Sequence, residues 1–178
     1  KSTPVPSMVM KYIPMIRNRK RPRILIAGLG NFLLRDDGVG VHVVREIQKK
    51  FSLSMLAVEV GTAVLGAIHL FEWGDKILAI DALQAGGPPG TLYSFTISDV
   101  KESGSQASLH ELSLLEVLRF LNRPFPEILV LGVEPETIDY GLELSAPVKT
   151  ALPQMVQFVS ETVAQWRRDS KVHPNSGM

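Results

Sequence analysis

A small set of residues in this 178-residue chain has the types and spacing to do chemistry: the adjacent acids Asp36 and Asp37, the acid Asp81, and His110. The acid pair follows an apolar run and begins an amphipathic stretch. Asp81 closes a second apolar run, and His110 opens a helical stretch after the polar segment 103–108. If the chain brings them to one edge, two carboxylates and one imidazole make a mixed oxygen–nitrogen donor set. Such a set suits a borderline divalent metal and leaves an open face for a substrate. Each residue also has a plainer reading. Acids at a helix start complement its dipole and cap free N–H groups, Asp81 can cap a turn, and a histidine at a helix start is often a surface residue. His42 and His69 fall inside expected helices and His173 near the end of the chain, which favours surface or capping roles.

The chain has no cysteine. That removes thiol proteases, iron–sulfur clusters and disulfide scaffolds. No Gly-x-Ser-x-Gly elbow and no Walker loop occur. An enzyme with neither thiol nor activated serine relies on carboxylates, a metal-bound water, or both. Gly28-Leu29-Gly30-Asn31-Phe32-Leu33 begins like a dinucleotide fingerprint, but Leu33 stands where the third glycine belongs; Glu59 partly fits the ribose-binding acid, so that reading stays open. His110-Glu111 begins a zinc-protease motif, but Leu114 stands where its second histidine belongs.

Basic residues number 19 and acidic residues 18, for a net charge of +1. The balance is uneven along the chain. Lys1, Lys11, Arg17, Arg19, Lys20, Arg21 and Arg23 precede the first acid, so the remainder is acidic. An acidic body does not suit nucleic acid. No apolar stretch approaches the ~18 residues of a spanning helix, and no secretory h-region stands near the start. These features lead us to expect no membrane insertion and a cytoplasmic protein.

The elements that must position the candidate residues follow from periodicity. Residues 23–27 are a short apolar run that stops at Gly28 and reads as a buried parallel strand. A helix is expected from Asp37-Gly38, with Val39, Val43, Val44, Ile47 and Phe51 on one face. Further strands are expected at 56–60, 76–81, 91–97 (an edge strand) and 127–133. Further helices are expected at 63–73, 109–121 and from Val148 to Val163, the last with Ser145 as N-cap. This alternation predicts an α/β fold: a three-layer αβα sandwich on a twisted, mostly parallel sheet of about five strands. Right-handed crossovers place the loops after Ala27, Val60, Ile80 and Val133 on one edge, where ligands of such sheets bind. We expect one domain over 23–166, a flexible basic leader over 1–22 and a frayed tail over 167–178.

Four blocks of sequence resemble one family, the nickel–iron hydrogenase maturation endopeptidases. The first is Gly28-Leu29-Gly30-Asn31-Phe32-Leu33-Leu34-Arg35-Asp36-Asp37-Gly38-Val39-Gly40. The second is Ile80-Asp81-Ala82 with Gly86-Gly87-Pro88-Pro89-Gly90-Thr91. The third is Ser108-Leu109-His110-Glu111. The fourth is Leu131-Gly132-Val133-Glu134-Pro135 with Gly141-Leu142-Glu143-Leu144-Ser145. They stand in family order over roughly residues 23–165. The resemblance implies removal of a C-terminal extension from the precursor of the hydrogenase large subunit once nickel is inserted. It implies Asp37, Asp81 and His110 as catalytic residues and ligands to nickel, which the precursor supplies; no organic cofactor is implied. Some members carry Glu where this chain has Asp37. Asp36 matches an acid expected to orient its neighbours. Gly28, Gly30, Asn31 and Gly38 are expected to form the substrate loop, the glycines letting backbone pass close to a ligand. Two other readings use the same residues: an exopeptidase with its own zinc, and a non-catalytic nucleotide-binding module.

Overall fold

The computed structural model describes residues 21–50, 55–97 and 126–172. Five strands form one sheet: β1 (Ile24–Leu29), β2 (Leu56–Gly61), β3 (Lys76–Ala82), β4 (Leu92–Thr96) and β5 (Glu127–Val133), in the order β2-β1-β3-β5-β4. The first four strands in that order run parallel, and β4 is antiparallel at the edge. β1 is buried along its whole length, as an uninterrupted apolar strand of a parallel sheet must be. β4 is covered less, as an edge strand is.

Alternation of side chains across the strands builds two cores. Ile24, Ile26, Leu78, Ile80 and Leu131 face α1 (Val39–Lys50) and α3 (Ala146–Val172). Leu25, Ala27, Leu29, Ile77 and Val130 face Phe71 of α2 (Ile68–Trp73). The α/β layering and the mostly parallel five-stranded sheet therefore match the expectation.

The differences lie at element ends. A 3-10 turn over Arg35–Gly38 precedes α1. The segment expected as one helix over 63–73 divides into a 3-10 turn at Leu65–Ala67 and the short α2. Ser145 precedes α3, but its buried hydroxyl makes no hydrogen bond among the described residues, so it is not the expected side-chain cap. α3 runs through Arg167 to Val172, into the segment expected to fray. The expected helix over 109–121 with His110, and most of the leader, lie outside the described residues. No helix among the described residues is long and apolar enough to cross a membrane.

The order of strands fixes where a site can form. From β1 the chain goes through α1 to β2 on one side, while β3 lies on the other. Loops leaving neighbouring strands in opposite directions open a crevice at their carboxyl ends. Here that crevice lies between β1 and β3.

Candidate active site

Asp37 and Asp81 reach this crevice from different strands. Gly28 of β1 stands opposite Ile80 of β3, so Asp81 lies level with the end of β1. At Gly30 the chain turns with φ +93°, a conformation that favours glycine. A Cβ there would collide with the backbone carbonyl of Asp37 and stand 3.1 Å from Oδ1 of Asp81. The Gly30–Asn31 turn is thus flanked by both acids. The Asn31 N–H donates to Oδ2 of Asp37 at 2.7 Å, and the Ala82 N–H donates to Oδ1 of Asp81 at 2.9 Å. Asp36, Asp37 and Asp81 are 0%, 6% and 3% exposed, so the protein covers all three.

The glycines around the first loop have a packing role beyond the one expected. The side-chain position of Gly28 is filled by the carbonyl of Gly40, and that of Gly38 by backbone of Asn31 and Phe32. A Cβ on Gly40 would meet the backbone of Ile80 and of Leu29. These residues let α1 lie directly on the ends of β1 and β3. The side-chain space of Gly28 and Gly30 is thus taken by protein backbone.

Asp36 and Asp37 are neighbours with different work. Oδ2 of Asp36 accepts from the N–H groups of Glu136 (2.9 Å) and Thr137 (3.0 Å), and Oδ1 from Ser145 (2.7 Å). Burying a carboxylate is costly unless its oxygens are hydrogen-bonded. These bonds satisfy that need and tie the turn carrying Asp37 to the loop before α3. The Asp36 N–H donates back to Thr137 O, and Leu34 bridges to Gly141.

Glu134 is a residue whose role the sequence reading missed. It follows β5 and is 6% exposed. Its carboxylate accepts from the N–H groups of Ala85 (2.8 Å), Gly86 (3.2 Å) and Gly87 (3.3 Å), and from the Tyr93 hydroxyl (3.0 Å). Burial pushes this carboxyl upward, but those hydrogen bonds outweigh burial and hold it below the usual carboxylate range. The Gly/Pro loop that follows Asp81 is thus hung on Glu134. The available signal was the one used for Asp81: an acid closing an apolar strand.

On the far side of the Gly30–Phe32 turn lies a cleft of about 280 Å³, bounded also by Val41, Arg45 and residues 59–63. Arg45 stacks 4.0 Å from the Phe32 ring and pairs with Glu59 at 2.9 Å. His42 lies half-buried beside Phe32, with ring centroids 5.0 Å apart, and burial lowers its pKa. It is therefore neither the exposed surface residue nor the cap expected, whereas His69 is exposed. Among the described residues no three metal-binding side chains gather. The two acids bracket one turn, and the expected nitrogen donor, His110, lies outside the described residues. Chemically, Asp37 and Asp81 can supply oxygen donors to a cation or a base to a water.

Residues 41–162 match the family described as hydrogenase maturation protease. A hydrogenase expression/formation protein, HupD of Rhizobium leguminosarum bv. viciae, is 31% identical over 82% of this chain and 76% of its own length. Among solved structures, the hydrogenase maturating endopeptidase HybD from E. coli superposes with a TM-score of 0.74 at 26% identity, over 80% of this chain and 93% of that one. A NiFe hydrogenase maturation protease HybD from Thermococcus kodakarensis gives 0.67 at 28% identity, over 79% and 99%.

Proposed function

Because this chain belongs to the family of hydrogenase maturation proteases, we propose that it removes a C-terminal extension from the precursor of a nickel–iron hydrogenase large subunit, acting in the cytoplasm on precursor that already holds nickel. The observation that supports this reading most is the placement of Asp37 and Asp81, two buried carboxylates flanking one glycine turn at the crevice between β1 and β3. A cation held by the substrate is the partner such a pair attracts. Asp37, Asp81 and His110 offer two oxygens and a nitrogen to nickel that stays bound in the precursor. Docking on the metal then sets the scissile bond beside the crevice.

With no cysteine in the chain, direct attack by water is preferred to an acyl-enzyme. Water adds to the scissile carbonyl carbon, a carboxylate takes its proton, and the proton passes to the leaving amine as the C–N bond breaks. A carboxylate bound firmly to a metal is a weak base, so the ligand and base roles compete within the pair, and whichever of Asp37 and Asp81 carries the proton does so while released from the nickel. Asp36 acts at one remove, by fixing the turn on which Asp37 stands.

The test is incubation of the full chain with nickel-loaded and nickel-free precursor, followed by intact mass. The reading expects one new, shorter species from the nickel-loaded form and none from the other. Equal cleavage of both forms refutes recognition through nickel, and cleavage of neither refutes the activity.

A further inference from the structure

The face beside the crevice carries large apolar side chains that stand exposed among the described residues. Leu33 is 58% exposed, Tyr140 84%, Leu142 54% and Ile138 44%. They come from two loops, 31–35 and 137–142, that are far apart in sequence and joined side by side. Leu34 bridges to Gly141, the Gly141 N–H donates to Leu33 O at 3.0 Å, and the Arg35 N–H donates to Gly141 O at 2.9 Å. The buried bonds of Asp36 to Glu136, Thr137 and Ser145 lock the same pair of loops from beneath. These apolar groups therefore stand on a fixed platform.

Arg35 stands within this patch. It is the one non-glycine residue at positive φ (48°) among the described residues. Such a conformation persists where the surroundings over-determine it, and it concentrates at functional surfaces. Its Cγ and Nε lie 3.0 Å from where a Cβ on Gly141 would stand, so its stem crosses the joint between the loops. Exposed acids stand in and beside the second loop at Glu136, Asp139 and Glu143, yet no ion pair joins any of them to Arg35 among the described residues. An apolar centre within a charged rim is the composition of a protein–protein interface. The patch continues directly from the turn that carries Asp36 and Asp37, so whatever is cut at that turn must lie against it.

We propose that Leu33, Ile138, Tyr140 and Leu142, with Arg35 among them, form the surface on which the protein substrate docks: an apolar face of the precursor with an acidic group set against Arg35. This rests on the reading above that the large-subunit precursor is the substrate. The surface supplies affinity and the acids at the crevice supply chemistry, so the two are separable.

The experiment uses the full chain and purified nickel-loaded precursor. Tyr140→Ser combined with Leu142→Ser, and separately Arg35→Glu, are compared with wild type by steady-state cleavage and by direct binding to immobilised precursor. The double variant is expected to raise both KM and Kd about tenfold, with kcat and melting temperature unchanged. Arg35→Glu should raise them about fivefold, with the loss shrinking at high salt. KM and Kd equal to wild type in the double variant overturn the surface while the activity stands. Wild-type binding without cleavage, weakened in the double variant, supports the surface and refutes the activity. A wild type that neither binds nor cuts the precursor overturns both. Self-association of the wild type that is lost in the double variant assigns the patch to a second copy and overturns it as well. If Arg35→Glu fails to fold, the double variant alone decides, because its changes fall on exposed side chains.

Discussion

Two loops leave the carboxyl edge of the sheet on either side of the crevice, and they are held by different means. Loop 30–38, after β1, is packed. The side-chain space of Gly30 and Gly38 is filled by backbone, and Asp36 bonds it to residues about a hundred positions away. Loop 83–91, after β3, is pinned at its ends by backbone bonds, Leu83 N–H to Val133 O and Gly90 N–H to Glu134 O, while its middle, residues 85–87, hangs from one side chain, the carboxylate of Glu134. At Gly86 in that loop an added Cβ would meet nothing within 4 Å. The first loop carries Asp37 and stays fixed unless the fold itself is disturbed. The middle of the second depends on one carboxylate, so a single change can loosen it and leave the sheet intact.

The contrast breaks most sharply at Gly40. In Gly40→Ala the new carbon meets the backbone of Ile80 and of Leu29, and backbone in a central sheet cannot step aside. We expect a loss of about 3 kcal/mol or more, read as a collapse of the melting temperature and of soluble yield. The same added carbon in Gly86→Ala has room, and its cost is limited to the strain of φ +84°. A melting temperature for Gly40→Ala at or above that of Gly86→Ala contradicts the close packing of α1 on the strand ends that anchors the first loop.

Asp36→Ala comes next. It leaves the N–H groups of Glu136, Thr137 and Ser145 without their acceptor at a site with no exposure. Unsatisfied buried donors cost about 1–3 kcal/mol each. Some donors will recover water, so we expect a net loss of about 3 kcal/mol, or about 10 °C in melting temperature for a domain of this size. Precursor cleavage should fall roughly 10–100-fold without vanishing, since the role is orientation. A stable, fully active Asp36→Ala places the turn's rigidity elsewhere.

Glu134→Gln is the mildest and the most local. An amide keeps one acceptor but turns its NH2 toward groups that are themselves donors. We expect about 1–2 kcal/mol and faster amide exchange over residues 83–90, with α1 unchanged. Acid sharpens the comparison. The folded carboxyl of Glu134 titrates below its ordinary value of about 4.5. Its contribution is present above that value and is lost as pH falls below it through the folded value. Thermal melts of wild type and Glu134→Gln should therefore differ most near neutrality and converge as the pH falls below about 4.5 through the folded value. A difference that grows as pH falls contradicts the assigned role.

Much of this arrangement was legible in the residues. Uninterrupted apolar runs ending in glycine or acid located β1, β3 and β5, and a partly alternating run after a Gly/Pro loop located the edge strand β4. The same logic put Asp37 and Asp81 on one edge, because strand ends and their neighbours are fixed by topology. What was not legible depends on long-range partners. Ser145 has the type and position of an N-cap, but its hydroxyl is buried unbonded while its N–H donates to Asp36, a contact no local pattern encodes. The glycines of the first block were read as close approach of backbone to a ligand; the backbone that fills their side-chain space, from Gly40, Asp37, Asn31 and Phe32, is a packing that no local pattern names. Glu134 looked like one more acid because its donors come from residues 85–87 and 93. The end of α3 was placed too early because the charges after Arg167 read as a tail, although a helix whose exposed face is charged continues through them.

The central claim is that the acids at the crevice do the chemistry, and Asp81→Asn tests it most directly. The substitution keeps the shape and the Oδ1 acceptor for the Ala82 N–H while removing the charge. Single-turnover cleavage of nickel-loaded precursor, followed by intact mass beside a thermal melt, is the measurement. The account predicts no shortened product in the time wild type takes to convert all of its substrate, with a melting temperature close to that of wild type. Cleavage by Asp81→Asn at the wild-type rate would show that Asp81 only caps its strand, and would contradict the account.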